Sequence, residues 1–436
     1  MSIQSKLQIK ILNKLKIEKL NPMQEEALLA ISSVSDVVLL SPTGTGKTLA
    51  FLLPIIDALE TSNPEVQVLI VVPSRELSIQ IEQVARKMGS GYKVNAIYGG
   101  RDFSKDKIDL KHRPAILIGT PGRIADHLRR KTFDNKSIKT LVLDEFDKSL
   151  EVGFKEEMKE IISFLPSLKK RILTSATQGV EIPNFVEVNE PIQIDYLGQK
   201  TSQLKIKKVL SPDKNKLETL VRLLSNIGNE PGIIFCNFKS TIEHVSDFLN
   251  DKNISHGCFS GGMEQKDRER ALLKFRNGTH QIIIATDLAA RGIDIPELKF
   301  IIHYQLPLKI EEFTHRNGRT ARMNSKGTAY VLQWIEDKPS PFTPNITELE
   351  LKRRPVPEPP IWATLFISGG RKDKVSKGDI AGLFFKQGGL EKSELGIIEL
   401  KQDCAFVAVP RSKIGVLIQK LDNSRIKKRK VRVYSI

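Results

Sequence analysis

Cysteine is scarce in this sequence: three residues in 436, at Cys236, Cys258 and Cys404, with no C-x-x-C pair. An odd, scattered set argues against a disulfide framework or a zinc site and points to a reducing cytoplasm. Long apolar runs are missing too, and none approaches the ~18 residues that a membrane span needs. The first fifteen residues lack the continuous apolar core of a signal peptide. Ile3, Leu7, Ile11 and Leu15 recur four apart there, the pattern of an amphipathic helix. Acids are in deficit: 51 Asp+Glu against 68 Lys+Arg leave a net charge of +17. That surplus favours a polyanionic partner, with nucleic acid first, against the bland alternative of lysines that serve solubility. An apolar share of 40% and a charged share of 27% fit a soluble globular chain, and 436 residues allow two to four domains.

What is present centres on Ser41-Pro-Thr-Gly-Thr-Gly-Lys-Thr48. The apolar run Val37 to Leu40 leads in, and the helical pattern Leu49 to Leu59 leads out. A strand, a glycine turn and a helix start are the context of a nucleotide-phosphate loop. Gly44 and Gly46 let successive backbone N–H groups turn inward toward phosphate oxygens, and the helix N-terminus adds positive potential. Lys47 is the candidate for the β/γ-phosphates and Thr48 for Mg²⁺. Ser41 stands where the pattern has glycine. Upstream, Asn21 and Pro22 read as a helix start, with Gln24 in its first turns. Its amide can pair with adenine N6 and N7 in bidentate fashion.

Downstream, strand patterns end in groups that grip phosphates. Val68–Val72 runs into Pro73-Ser-Arg-Glu-Leu77, Val94–Tyr98 into Gly99-Gly100, and Ala115–Gly119 into Thr120-Pro-Gly-Arg123. In open α/β sheets ligands bind at this edge. Glycine N–H, hydroxyl and arginine donors suit a nucleic-acid backbone. The strand at Lys139–Leu143 ends in Asp144-Glu-Phe-Asp147. Asp144 is the candidate for Mg²⁺, largely through water, and Glu145 for orienting and deprotonating the attacking water. Another strand, Arg171–Thr174, ends in Ser175-Ala-Thr177. The pattern loosens into a linker around Tyr196 to Gln203. A second α/β unit follows, with strands near 232–236, 254–259, 281–286, 300–303 and 328–332. It has no phosphate loop of its own, but holds Thr286-Asp-Leu-Ala-Ala-Arg-Gly-Ile-Asp294 and His315-Arg-Asn-Gly-Arg-Thr-Ala-Arg322.

These motifs, in this order, resemble those of the DEAD-box ATP-dependent RNA helicases over nearly all of residues 10 to 335. The resemblance implies two tandem RecA-like parallel-sheet domains with ATP and RNA between them. It assigns Gln24, Ser41, Pro42, Thr43, Gly44, Thr45, Gly46, Lys47 and Thr48 to ATP, and Lys47, Thr48, Asp144 and Glu145 to Mg²⁺-assisted hydrolysis. Arg319 and Arg322 would reach the γ-phosphate, and Ser175 and Thr177 would couple hydrolysis to unwinding. RNA contacts fall on Arg75, Gly99, Gly100, Thr120, Gly122, Arg123, Gln265, Arg268, Thr286, Arg291 and Asp294. A carboxylate such as Asp294 can bond the ribose 2′-OH. Three departures stand out: Phe146 for a small Ala, Ile17 where an aromatic stacks on adenine, and Ala321 for a Gly.

From Ile361 onward 16 Lys+Arg face 7 Asp+Glu, after a proline-rich stretch at 352–360 that reads as a stiff spacer. The pattern is strand, helix, strand, strand, helix, strand, the order of an RNA-recognition (RRM-like) α+β fold. Phe366 and Phe406 share the face opposite Leu365, Ile367, Val407 and Val409. They either stack bases or are covered by a neighbour or the linker. Thr364-Leu-Phe-Ile-Ser-Gly-Gly-Arg-Lys-Asp-Lys374 is similar to the C-terminal domain of the bacterial DbpA subfamily, which places Arg371, Lys372 and Lys374 among the RNA contacts. That subfamily uses the domain on a hairpin of 23S ribosomal RNA and acts in large-subunit assembly. The expected domains are 1–200, 201–345, a linker at 346–360, and 361–436. The expected activity is an RNA-dependent ATPase that unwinds short duplexes. The alternatives are an ATP-gated RNA clamp or assembly scaffold with little turnover, a general helicase of mRNA metabolism, and a DNA helicase.

Overall fold

The computed structural model describes residues 5–149, 154–177, 181–198, 203–287, 298–320, 326–338, 346–427 and 429–436. Two compact units emerge, the first made by the described residues up to 198 and the second by those from 203 onward.

The first unit is one seven-stranded parallel sheet. Its strands are β1 (Asp36–Leu40), β2 (Val68–Val71), β3 (Val94–Ile97), β4 (Ile116–Gly119), β5 (Thr140–Asp144), β6 (Lys170–Ser175) and β7 (Ile192–Asp195), in the spatial order β3-β4-β2-β5-β6-β1-β7. The continuous apolar runs follow from burial on both faces. Along β1, Val37 and Leu39 join one core cluster, while Val38 and Leu40 join the other. The same alternation along β2 sends Val68 and Ile70 one way, and Leu69 and Val71 the other. The helix Pro22–Ser33 starts at the expected Asn21 cap with Pro22 in its first turn, and the amphipathic N-terminal pattern forms a helix over Lys6–Leu15. Edge strand β7 was not legible in the sequence because three of its four residues face solvent.

The second unit repeats the plan. Its strands are β8 (Gln203–Ser211), β9 (Gly232–Phe235), β10 (His256–Phe259), β11 (Ile282–Ala285), β12 (Phe300–His303), β13 (Lys326–Trp334) and β14 (Thr347–Glu348), ordered β10-β11-β9-β12-β13-β8-β14. Nine-residue β8 begins inside the stretch that reads as a linker, because its lysines hide the alternation of Leu204, Ile206 and Leu210.

The C-terminal sheet comprises β15 (Trp362–Ile367), β16 (Ile398–Leu400) and β17 (Ala405–Pro410); after a small hairpin of β18 (Arg425–Ile426) and β19 (Arg429–Lys430), it is completed by β20 (Val433–Ser435). The spatial order is β16-β17-β15-β20, every pair antiparallel. Leu365, Ile367, Val407 and Val409 face the helices Lys377–Lys386 and Ile414–Leu421 through Ile380, Leu383, Phe384, Leu417 and Leu421. This is the expected split of strand faces.

Candidate active site

The loop after β1 has its curvature in place. Gly44 and Gly46 take φ of +85° and +91°, and Gly46 begins the helix Lys47–Asp57 without a side-chain cap. The helix N-terminus is thus left to other acceptors. A Cβ on Gly46 would lie 2.4 Å from Nε2 of Gln24. Ser41 explains its own presence: its hydroxyl lies 2.7 Å from that of Thr45, which donates to the Pro42 carbonyl at 2.8 Å. The backbone N–H of Ser41 donates to the Ser175 carbonyl at 3.0 Å, joining this loop to the end of β6. Lys47 is buried and folds back, donating to the Ser41 carbonyl and, at 3.0 Å, to that of Pro42. Pro42, Thr43 and Thr48 complete the same turn.

Gln24 is buried and occupied. Its Oε1 accepts the Asn21 N–H at 3.1 Å, and its Nε2 donates to the Gly46 carbonyl at 3.3 Å. Asn21 Nδ2 donates to the Thr45 carbonyl at 3.0 Å, so the helix Pro22–Ser33 and the phosphate-type loop are one hydrogen-bonded piece. Ile17 is half-buried against the adjoining apolar core.

The acids at the end of β5 lie in the same neighbourhood. Asp144 is buried and accepts from the Thr174 hydroxyl. Burial, with the neighbouring Glu145 charge, pushes its carboxyl up to about 6, against the pull of Thr174 and Lys47. Glu145 takes φ +52°, uncommon for a residue with a side chain. The Phe146 ring is 2% exposed and belongs to the second core cluster. Beside it the Thr177 hydroxyl donates to Asp147 Oδ2 at 3.1 Å, and Ser175 Oγ accepts the Thr177 N–H at 3.0 Å. The Ser175–Thr177 turn therefore touches both the phosphate-type loop and the acidic box.

The groups expected at an RNA strand also cluster within the first unit. Arg75 opens the helix Arg75–Met88 and lies over Gly100, which has φ +82°. A Cβ there would meet the Arg75 Nη1 at 2.4 Å. Gly99 adjoins the same guanidinium. Thr120 occupies the N-cap position of the helix Pro121–Arg129 without a side-chain capping bond, and a Cβ on Gly122 would meet open space. Arg123 is turned inward: its Nε and Nη2 each lie 2.7 Å from Oδ2 of fully buried Asp106, and Nη2 donates to the Arg101 carbonyl at 2.9 Å. Arg101 Nη1 and His127 Nε2 both sit 3.4 Å from the same carboxylate. Asp106 was not legible as a site residue, because it lies mid-pattern in a short helix, Phe103–Asp109, that carries no motif.

In the second unit, Gln265 opens the helix Gln265–Arg276, the Arg268 guanidinium lies 4.7 Å from the Phe259 ring centre, and Thr286 follows β11 directly. Arg319 is 7% exposed. Arg291, Asp294, Ala321 and Arg322 lie outside the described residues. Sequence reading places Arg316 in the His315–Arg322 motif but gives it no role; it is 1% exposed. Its Nε and Nη2 pair with Asp287 at 2.7 and 2.5 Å, and it donates to the Gln305 carbonyl and Asn237 Oδ1. It thereby ties the segment after β11 to the arginine-bearing helix Ile310–Asn317. In the C-terminal domain Phe366 pairs in register with Phe406, edge to face at 5.5 Å, and Tyr434 stacks on Phe366 at 4.7 Å. Arg371, Lys372 and Lys374 are exposed. The β18–β19 hairpin adjoins them, Lys427 donating to the Lys374 carbonyl at 2.7 Å and Arg429 pairing with Asp373.

Three family models match this chain: the DEAD/DEAH box helicase over residues 21–185, the helicase conserved C-terminal domain over 215–324, and the DbpA RNA binding domain over 364–434. The ATP-dependent RNA helicase DbpA of Escherichia coli (strain K12) is 30% identical over 456 residues, spanning 98% of this chain and 96% of that protein. The Bacillus subtilis (strain 168) DbpA is 29% identical, over 94% and 93%. Among solved structures, S. cerevisiae Dbp5 bound to RNA and ADP BeF3 aligns with a TM-score of 0.72 at 26% identity, covering 80% of this chain and 94% of that one. Mss116p bound to ssRNA and AMP-PNP aligns at 0.69 and 26%, covering 76% and 73%. With a nucleotide-type loop, an acidic box joined to it through Ser175, and a basic C-terminal domain, the chain belongs to the DEAD-box ATP-dependent RNA helicases that carry a DbpA-type RNA-binding domain.

Proposed function

We propose that this helicase remodels structured 23S ribosomal RNA during large-subunit assembly in the cytoplasm, with its C-terminal domain holding a hairpin of that RNA. The observation that carries the reading is the match of the DbpA RNA binding domain to residues 364–434, together with the exposed basic edge there. A domain of this charge grips RNA phosphates and raises the local concentration of helicase at its target.

In this reading ATP takes the loop Ser41–Thr48. Lys47 leaves the Ser41 and Pro42 carbonyls for the β/γ-phosphates, and Gln24 turns its amide toward adenine. The Thr48 hydroxyl and the Asp144 carboxylate are oxygen donors of the kind Mg²⁺ takes, and the ion would offset phosphate charge. Glu145, held beside Asp144 by its φ of +52°, orients the attacking water and accepts its proton. Arg319 and Arg322 stabilise charge on the transferring phosphoryl group. Ser175 and Thr177, bonded toward Ser41 and Asp147, relay the state of the nucleotide loop. Arg75, Gly99, Gly100, Thr120, Gly122, Gln265, Arg268, Thr286, Arg291 and Asp294 face the RNA strand. Arg123 supports that surface through Asp106 and the Arg101 carbonyl.

Crosslinking of the full chain in cells, followed by sequencing of the bound RNA, tests the target. Reads concentrated on one 23S hairpin are expected, and reads spread evenly over mRNA would overturn it. Phosphate release from the native chain and from Glu145→Gln tests turnover. RNA-stimulated release in the native chain alone is expected; equal near-zero rates would favour a clamp without turnover.

A further inference from the structure

The proline-rich spacer does not hang free. β14 pairs with β8, matching Thr347 with Lys207 and Glu348 with Lys208. Leu349 and Leu351 pack on the core of the second RecA-like domain. Asn226, at the end of the helix Leu217–Ile227, brackets Lys352: it donates to the carbonyl at 2.7 Å and accepts the N–H at 3.1 Å. Asn229 donates to the Glu358 carbonyl at 2.8 Å. Arg411 closes the far end. Its Nε donates to the Pro360 carbonyl at 2.9 Å, its backbone N–H to that of Ile361 at 2.7 Å, and its Nη2 to that of Thr279 at 3.3 Å.

The sheet of the C-terminal domain joins this contact. Thr364 is fully buried, with its hydroxyl 2.7 Å from that of Thr279 and accepting from Asn277 Nδ2 at 3.2 Å. Between those partners Gly278 turns at φ +73°, and a Cβ there would stand 3.4 Å from the Trp362 ring. On the same sheet face Phe406 and Ala408 are buried. The loop 277–280 joins two elements expected to face RNA: the helix that carries Gln265 and Arg268, and β11, which leads to Thr286.

We propose that this junction is a fixed mount. The C-terminal domain is seated on the second RecA-like domain through the Thr364 end of its sheet, and it delivers RNA held on the Arg371–Lys374 edge to one place relative to Arg268 and Thr286. A free tether spreads its cargo over the volume its linker sweeps, whereas a mount concentrates cargo only at matching geometry. Buried hydroxyl and amide groups that find their partners across the junction favour the seated state. The delivery step rests on the reading that this domain binds structured RNA; the mount does not.

The test uses the full chain with Thr279→Cys and Thr364→Cys, alone and together, oxidised by copper–phenanthroline. Hydroxyl oxygens 2.7 Å apart put cysteines at these positions within reach of a disulfide. Peptide mapping is expected to find the 279–364 link in most folded chains, and a link in fewer than a tenth of them would overturn the mount. The oxidised enzyme is expected to unwind a duplex joined to a 23S hairpin fragment within twofold of the reduced enzyme. A tenfold loss restored by dithiothreitol would overturn it. If the double variant does not fold, Arg411→Ala serves: proteolysis within 352–362 should quicken about tenfold, and an unchanged rate would overturn the mount. Absence of any preference of the native chain for the 23S fragment over a random strand would sink the RNA reading and leave the crosslink to decide the mount.

Discussion

Asp144 and Glu145 are adjacent carboxylates in a buried setting, and their mutual repulsion has a measurable consequence. The Asp144 carboxyl is held up to about 6, first by burial and then by Glu145. In the proposed reading Mg²⁺-nucleotide binding would use the ionised form, so affinity should fall as pH drops through about 6. Glu145→Gln removes the repulsive charge and should shift that acid limb to lower pH, read by titrating a fluorescent ATP analogue between pH 5 and 8. An unmoved limb would remove Glu145 from this role. Burial shifts His303 in the second domain the other way, again toward the neutral form. Its Nε2 lies 3.0 Å from Asn317 Oδ1, its Nδ1 has no hydrogen-bond partner among the described residues, and burial pushes it down to about 3. The folded state holds it neutral, so its contribution is whole above the ordinary histidine value of about 6.5 and is lost as pH falls toward 3. Between pH 7.5 and 5 the urea midpoint of the second domain should fall, and the gap between the native chain and His303→Asn should narrow. Phe146 departs from the small residue the family resemblance leads one to expect. Being buried, it fills volume that alanine would vacate, so Phe146→Ala should cost roughly 3 kcal/mol by denaturant titration.

Among the elements, the short helix Phe103–Asp109 does more than its length suggests. It presents Asp106 beneath Arg101, Arg123 and His127, while Phe103 stacks on His127 at 4.3 Å. Two loops expected to face RNA, at Gly99-Gly100 and Thr120–Arg123, are thus fixed by one buried carboxylate. Asp106→Asn leaves Arg123 short of its counter-charge, and loss of one partner of such a buried pair typically costs about 3–5 kcal/mol. The variant should lower stability and raise the RNA concentration needed for half-maximal ATPase at least fivefold, with the KM for ATP within twofold. An equal rise in both would mean general loosening of the domain. Strand existence was legible wherever apolar runs are buried on both faces, as in β1, β2 and β5. It was not legible for β7, whose polar residues reflect an edge position, or for β8, where lysines interrupt the apolar residues on both faces. A sequence window does not show which strands lie at an edge.

For the whole molecule, the seated C-terminal domain changes what truncation means. Removing residues 361–436 should abolish preference for 23S fragments while leaving ATPase stimulation by generic RNA. It should also expose Asn277, Gly278 and Thr279, which now contact Trp362, Thr364 and Arg411. Some loss of thermal stability in the second domain is therefore expected, measurable by differential scanning calorimetry. An unchanged RNA preference in the truncated chain would remove the domain from target choice.

The sequence by itself determined the chemistry and the order of the parts. A phosphate loop, an acidic box and an RNA-recognition strand order are local: each needs a few residues in a short window, and spacing encodes it. Only the tertiary structure decided how those residues are held. Ser41 serves Thr45, Gln24 is spent on Asn21 and Gly46, Arg123 on Asp106, and Thr364 on Asn277 and Thr279. The pairs reaching beyond their own loop join residues between 17 and 87 positions apart, and nothing in a sequence window records which distant donor will meet which acceptor once the chain has closed on its core.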